Sequence, residues 1–142
     1  MQYVPALVPL VLGATVGYAI RDEVTGPWYA SLPKPSFNPP NWVFGPVWAL
    51  LYVLMGVAAY RASGTNQDLS WFYVQLFLNL FWSVAFFLLK KPGLSLVDIV
   101  ALVPAILLTM RSWRASEAWL LAPYLGWTIF AAVLNAWIVN SS

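Results

Sequence analysis

Aromatic rings, tryptophan above all, are what this chain offers in place of ordinary catalytic groups. It carries nine tryptophans, seven tyrosines and eight phenylalanines, with no histidine and no cysteine. Without those two residues there is no Ser-His or Cys-His catalysis, no usual zinc site, no disulfide and no thiolate. His and Cys are also missing as haem ligands. A flat ligand would have to be held by shape and by stacking on indole rings, or ligated weakly by Tyr or Met. The densest aromatic stretch is 28–52: Trp28-Tyr29, Leu32-Pro33-Lys34-Pro35, Phe37-Asn38-Pro39-Pro40, Trp42-Val43-Phe44-Gly45-Pro46-Val47-Trp48 and Leu51-Tyr52. Loops are ordinarily polar because their backbone faces water. This one carries the residue types of an apolar pocket and leads straight into an apolar segment.

The elements that must position these rings are membrane helices. The 142 residues are 61% hydrophobic and 8% charged, with a net charge of +2 from seven Lys/Arg and five Asp/Glu. A soluble domain is about 25% charged, and +2 is too weak for a nucleic-acid footprint. Five apolar segments, about 3–20, 42–60, 69–89, 94–110 and 118–139, each approach the ~20 residues that cross a bilayer. In lipid they must be helical, and their internal prolines are tolerated. The first segment lacks a basic leader and a cleavage pattern, so it reads as a retained helix rather than a signal peptide. The fold expected is an all-α integral membrane bundle, one domain over 1–142. Only the first loop, about 21–41, is long, and a long loop is usually a lid or binding element. The Lys/Arg balance between the two sides does not orient the chain.

Helical spacing then sorts the faces. Phe44, Trp48, Tyr52 and Met55 share a stripe, as do Gln75, Asn79, Trp82 and Ser83. Asp98, Ala105 and Thr109 share another, and so do Tyr124, Trp127, Thr128, Ala131 and Asn135. These stripes face inward, since polar groups in hydrocarbon normally do. Trp71, Trp113, Trp119 and Trp137 lie near span ends and suit interfacial anchoring. Trp48 and Trp127 lie inside their spans, where pocket lining is favoured over plain packing. Spacing leaves Asn79 two roles, ligand contact or helix bridge. Asp98 reads as an acid near a helix start, hydrogen-bonded to a neighbour and favoured by the helix dipole; the sharper reading is a proton or cation site. Gly13-x-x-x-Gly17 marks close helix contact, within the bundle or between protomers.

Taken together, Trp28-Tyr29, Leu32, Lys34-Pro35, Pro39-Pro40, Phe44-x-Pro46-x-Trp48, Leu51-Tyr52-x-x-Met55-Gly56, Gln75-Leu76-x-Leu78-Asn79-x-x-Trp82-Ser83, Pro123-Tyr124-x-x-Trp127 and Ala131-x-x-Leu134-Asn135 resemble the signature of the translocator protein family (TspO/MBR). The resemblance covers nearly the whole chain. It implies five packed helices, usually dimeric, with a pocket under the first loop. It implies binding of porphyrins such as protoporphyrin IX and haem, and of isoquinoline carboxamides and benzodiazepines. No cofactor or metal is required; the tetrapyrrole is a ligand. Carried onto matching positions, the pocket would include Trp28, Tyr29, Trp48, Asn79, Trp82, Tyr124, Trp127 and Ala131. In some bacterial members light-dependent porphyrin breakdown is linked to two tryptophans, which match Trp48 and Trp127. Lys34 or Arg21 could pair with propionates. The tail lacks the sterol motif of animal members, so no dedicated sterol site is expected.

The leading expectation is therefore a porphyrin-binding receptor or regulator, partnered by the bilayer and by a second copy, in a bacterial cell membrane. Its alternatives are a porphyrin-degrading enzyme and a small-molecule transporter.

Overall fold

The computed structural model describes residues 3–141. Five helices are long and apolar enough to cross a membrane. Helix α1 is Tyr3–Val24, and the short α2, Pro27–Ser31, follows it. Next come α3 (Asn41–Gly64), α4 (Ser70–Ser83) and α5 (Pro92–Ser112). The four-residue α6, Ala115–Ala118, leads through a 3₁₀ turn at Trp119–Leu121 into α7, Ala122–Ser141. The 22 residues of α1 reach about 33 Å, enough for a hydrocarbon core of about 30 Å.

Local chemistry explains the breaks. Pro27 opens α2 at a first-turn position, where a missing N–H is no loss. Pro40 precedes α3 in an extended conformation, as the fixed ring favours. Lys90, at φ 56°, reverses the chain between α4 and α5. The sequence placed 21–41 entirely in a loop. Instead α1 runs on to Val24, and α2 folds back within that segment.

The largest packed faces are α4 on α5, α1 on α3 and α5 on α7. The α1–α3 contact depends on Gly13: a Cβ there would sit 2.7 Å from the Tyr52 ring. Gly56 plays the reciprocal part, since its Cβ would fall 2.8 Å from the Ala6 carbonyl oxygen. Gly13 thus serves the bundle itself, while a Cβ at Gly17 would meet open space.

One end of the bundle is tied by Glu117, only 1% exposed. It accepts hydrogen bonds from Gln67 Nε2 (2.7 Å) and Ser116 Oγ (2.7 Å) and pairs with Arg61 and Arg114, each at 3.3 Å. Trp113 belongs to this end as well. Expected as an interfacial anchor, it is buried, stacked on Phe72 at 5.5 Å and bonded through Nε1 to the Asp68 carbonyl. Its neighbours Trp71 and Trp119 are exposed. At the other end Lys90 pairs with Glu23 at 3.5 Å, joining the α4–α5 turn to the base of the first loop.

Candidate functional site: an aromatic cavity under the first loop

A turn of π-helix, Val84–Leu88, continues α4 toward the first loop. An α-helix turns about 100° per residue, so it cannot bury three successive side chains on one face. Here Ala85, Phe86 and Phe87 are all buried, because the wider turn brings both phenyl rings inward. Such turns occur often at functional sites. Phe86 and Phe87 meet with ring centroids 4.9 Å apart, and Trp82 stacks on Phe86 at 5.5 Å.

The lid closes over this wall. Tyr29 on α2 is 3% exposed and packs on Phe87 at 5.3 Å and on Phe86 at 6.0 Å. Burial pushes its phenol pKa up. Lys34 fastens the loop to itself. Its Nζ donates to the carbonyls of Tyr29 and Leu32 and lies 4.5 Å from the centroid of the Tyr29 ring. Partial burial draws its ammonium below the usual lysine value. Lys34 thus braces the loop internally with two of the three N–H groups of its ammonium.

Beneath Tyr29 lies a cavity of about 60 Å³. Trp48 and Phe44 of α3, Trp82 with the π-turn, and Trp127 and Ala131 of α7 line it. Five of the sequence-derived positions thus surround one space: Tyr29, Trp48, Trp82, Trp127 and Ala131. Trp48 and Trp127 share the wall, but the ring that meets Trp127 edge-on is Phe44, at 6.0 Å. The Trp127 indole N–H is buried without an acceptor. Trp28 stands behind the wall, edge-on to Phe86 at 5.7 Å.

Asn79 and Tyr124 sit one layer deeper and are hydrogen-bonded to each other. Asn79 accepts a hydrogen bond from the Tyr52 hydroxyl and donates to Tyr124 Oη at 2.9 Å. The Tyr124 hydroxyl donates to Gln75 Oε1 at 2.7 Å. Of the two roles open to Asn79, the structure shows the bridge, joining α3, α4 and α7. Tyr124 reaches the cavity only through Trp48, whose ring centroid is 6.5 Å from its own. A second bridge orients Trp82: its Nε1 donates to Asn135 Oδ1 at 2.9 Å, and Ser95 Oγ lies 2.8 Å from the same oxygen.

Asp98 departs from expectation. It lies well past the start of α5, is 6% exposed, and its Oδ2 has no hydrogen-bond partner. The neighbour that was to bond it is absent among the described residues. No group of acidic residues there could hold a metal ion.

Sequence reasoning missed Phe86 and Phe87 as cavity residues. Adjacent phenylalanines in an apolar run look like one inward and one lipid-facing ring. Only the π-turn puts both inside, and no residue type announces it. Phe44 was on the inward stripe, and its spacing from Trp48 was the signal.

The sequence profile of the TspO/MBR family matches residues 5–140. The chain is 49% identical over 115 residues to "Tryptophan-rich protein TspO" of Archaeoglobus fulgidus, covering 76% of this chain and 75% of that one. It is 39% identical over 135 residues to the "Translocator protein" of Homo sapiens, covering 87% and 80%. Against the "Tryptophan-rich sensory protein" of Cereibacter sphaeroides the figures are 34% over 128 residues, covering 86% and 79%. A five-span helical bundle matched by the profile from its first turns to its last places this multi-pass membrane protein in the TspO/MBR family.

Proposed function

We propose that the protein is a membrane receptor for a flat tetrapyrrole of the protoporphyrin class, held by stacking in the cavity beneath Tyr29. The observation that carries this reading is the cavity wall. It is built from Trp48, Trp82, Trp127, Phe44, Phe86 and Phe87, and indole and phenyl faces suit a flat aromatic ligand. The unpaired Trp127 N–H adds one donor, which a ligand nitrogen or carbonyl would satisfy. At about 60 Å³ the cavity has room for about two waters. Ligand sites run to about 300–1,000 Å³, so the lid and the rings below it must part to admit a ligand.

A second reading rests on Trp48 and Trp127 sharing this wall. There they would lie against a light-excited pigment and steer its oxidative breakdown, with dissolved dioxygen as the oxidant, making the protein a porphyrin-degrading enzyme.

Titration of the purified protein with protoporphyrin IX separates these readings. Tryptophan quenching is followed in the dark and pigment absorbance under light. A stacked ring contributes about 0.5–1.5 kcal/mol, so Trp48→Ala should weaken binding by up to about tenfold. Saturable quenching without bleaching supports a receptor. Bleaching lost in Trp48→Phe or Trp127→Phe supports the enzyme. Quenching that never saturates overturns both.

A further inference from the structure

A hollow larger than the cavity under the lid lies beside it. It is a groove of about 520 Å³ between α1 and α3. Its floor is made of small residues, Gly13, Ala14 and Gly17 on one side and Gly45 and Ala49 on the other. A Cβ built at Gly17 or Gly45 would meet no atom within 4 Å. Both glycines are exposed, so the groove opens outward, toward lipid. Trp48 lines both this groove and the inner cavity, as do Ile20, Val24, Phe44 and Ser83.

Shape decides what fits. The groove runs along α1 from Val24 to Leu10, fourteen residues or about 21 Å of helix. Spread over that length, its volume gives a mean cross-section of about 25 Å². That is the gauge of one hydrocarbon chain. A helix with its side chains is about 10–12 Å across, wider than this trough.

Depth and charge agree. Arg21 lies on the rim, with Asn41 and Trp42 across from it. Trp42 is 74% exposed, as suits a ring at headgroup level. From Arg21 down to Leu10 is about 16 Å of helix, close to the ~15 Å hydrocarbon depth of a single leaflet. Arg21 commits one N–H to the Tyr18 carbonyl at 2.8 Å. Its guanidinium, over the Tyr18 ring at 3.7 Å, keeps further donors for a phosphate. Its nearest acid, Asp22, is 3.9 Å away and exposed.

We propose that this groove is a binding site for an anionic phospholipid of the surrounding bilayer. One acyl chain lies along the glycine trough, and the phosphate sits at Arg21. The lipid would press on the outer face of the same Trp48 whose inner face lines the cavity.

Native mass spectrometry of the purified protein with phosphatidylglycerol and phosphatidylcholine tests this. The wild type should retain one phosphatidylglycerol, about tenfold in preference to phosphatidylcholine. Gly17→Leu with Gly45→Leu fills the trough and should weaken retention tenfold or more. Gly17→Ala adds a single methyl group into open space and should weaken it about threefold, with the thermal midpoint unchanged. Arg21→Gln should keep chain binding and abolish the headgroup preference. Retention by Gly17→Ala and the double variant equal to wild type overturns the proposal, as does an undiminished preference in Arg21→Gln. A second copy released by the double variant while lipid stays bound also overturns it, assigning the groove to a dimer.

Discussion

Asn79 illustrates how a polar side chain in a membrane helix can be structural. Its amide links two tyrosine hydroxyls on different helices, so losing either leaves a buried group unpaired. Tyr52→Phe should cost about 1 kcal/mol, read as a lower thermal midpoint in detergent. Protoporphyrin affinity should change less than twofold, because the bridge lies behind the cavity wall. A tenfold loss of affinity with an unchanged midpoint would return Asn79 and Tyr52 to the binding surface. Residue types in their stripes revealed the inward faces and five of the rings and small residues around the cavity. They could not separate first-layer from second-layer residues, as Asn79 and Tyr124 show. That distinction depends on side-chain reach across the bundle, which spacing along one helix does not contain. Nor could spacing show that Asp98 Oδ2 lacks a hydrogen-bond partner, because that depends on which side chains face it across the bundle.

At the scale of elements, two devices hold the site. The first is the close approach of α1 and α3 at Gly13. Gly13→Val would drive a branched side chain into the Tyr52 ring, and overpacking of this kind costs about 1–3 kcal/mol. The midpoint should fall, and the hydrogen bond from Tyr52 to Asn79 should weaken with it. The second device is the lid. Lys34→Met keeps the length of the side chain but removes the donors to the Tyr29 and Leu32 carbonyls. Stopped-flow quenching should show faster protoporphyrin release, by several-fold, with the thermal midpoint little changed. An unchanged release rate would mean that Lys34 does not brace the lid. The five spans were legible from hydropathy to within a few residues at most ends. The loop helix α2 and the π-turn were not: Pro27 marks where α2 begins, but five residues are too few to show a helical period, and the π-turn has no residue signature of its own.

Across the whole molecule, the two ends are tied differently. Glu117 gathers Arg61, Arg114, Gln67 and Ser116 at one end. The end that carries the lid has a looser ion pair, Lys90 with Glu23, both partly exposed. Exposed pairs contribute little, so the lid end should open first. Hydrogen exchange should be faster in 25–40 than in 61–69, and Glu117→Ala should raise exchange in 61–69 while leaving protoporphyrin affinity unchanged. Overall architecture was readable because burial in lipid imposes helices on any long apolar stretch. The state of the cavity was not, because it depends on how closely seven or so rings pack.

That closed state has a kinetic consequence. If the cavity of about 60 Å³ must open before a pigment fits, only the open fraction of molecules is competent. The apparent dissociation constant is then the intrinsic one divided by that fraction. The observed association rate should level off at high pigment concentration, at the rate of opening rather than of encounter. A looser lid would raise that plateau and the release rate together, changing how quickly pigment would exchange more than how tightly it would be held.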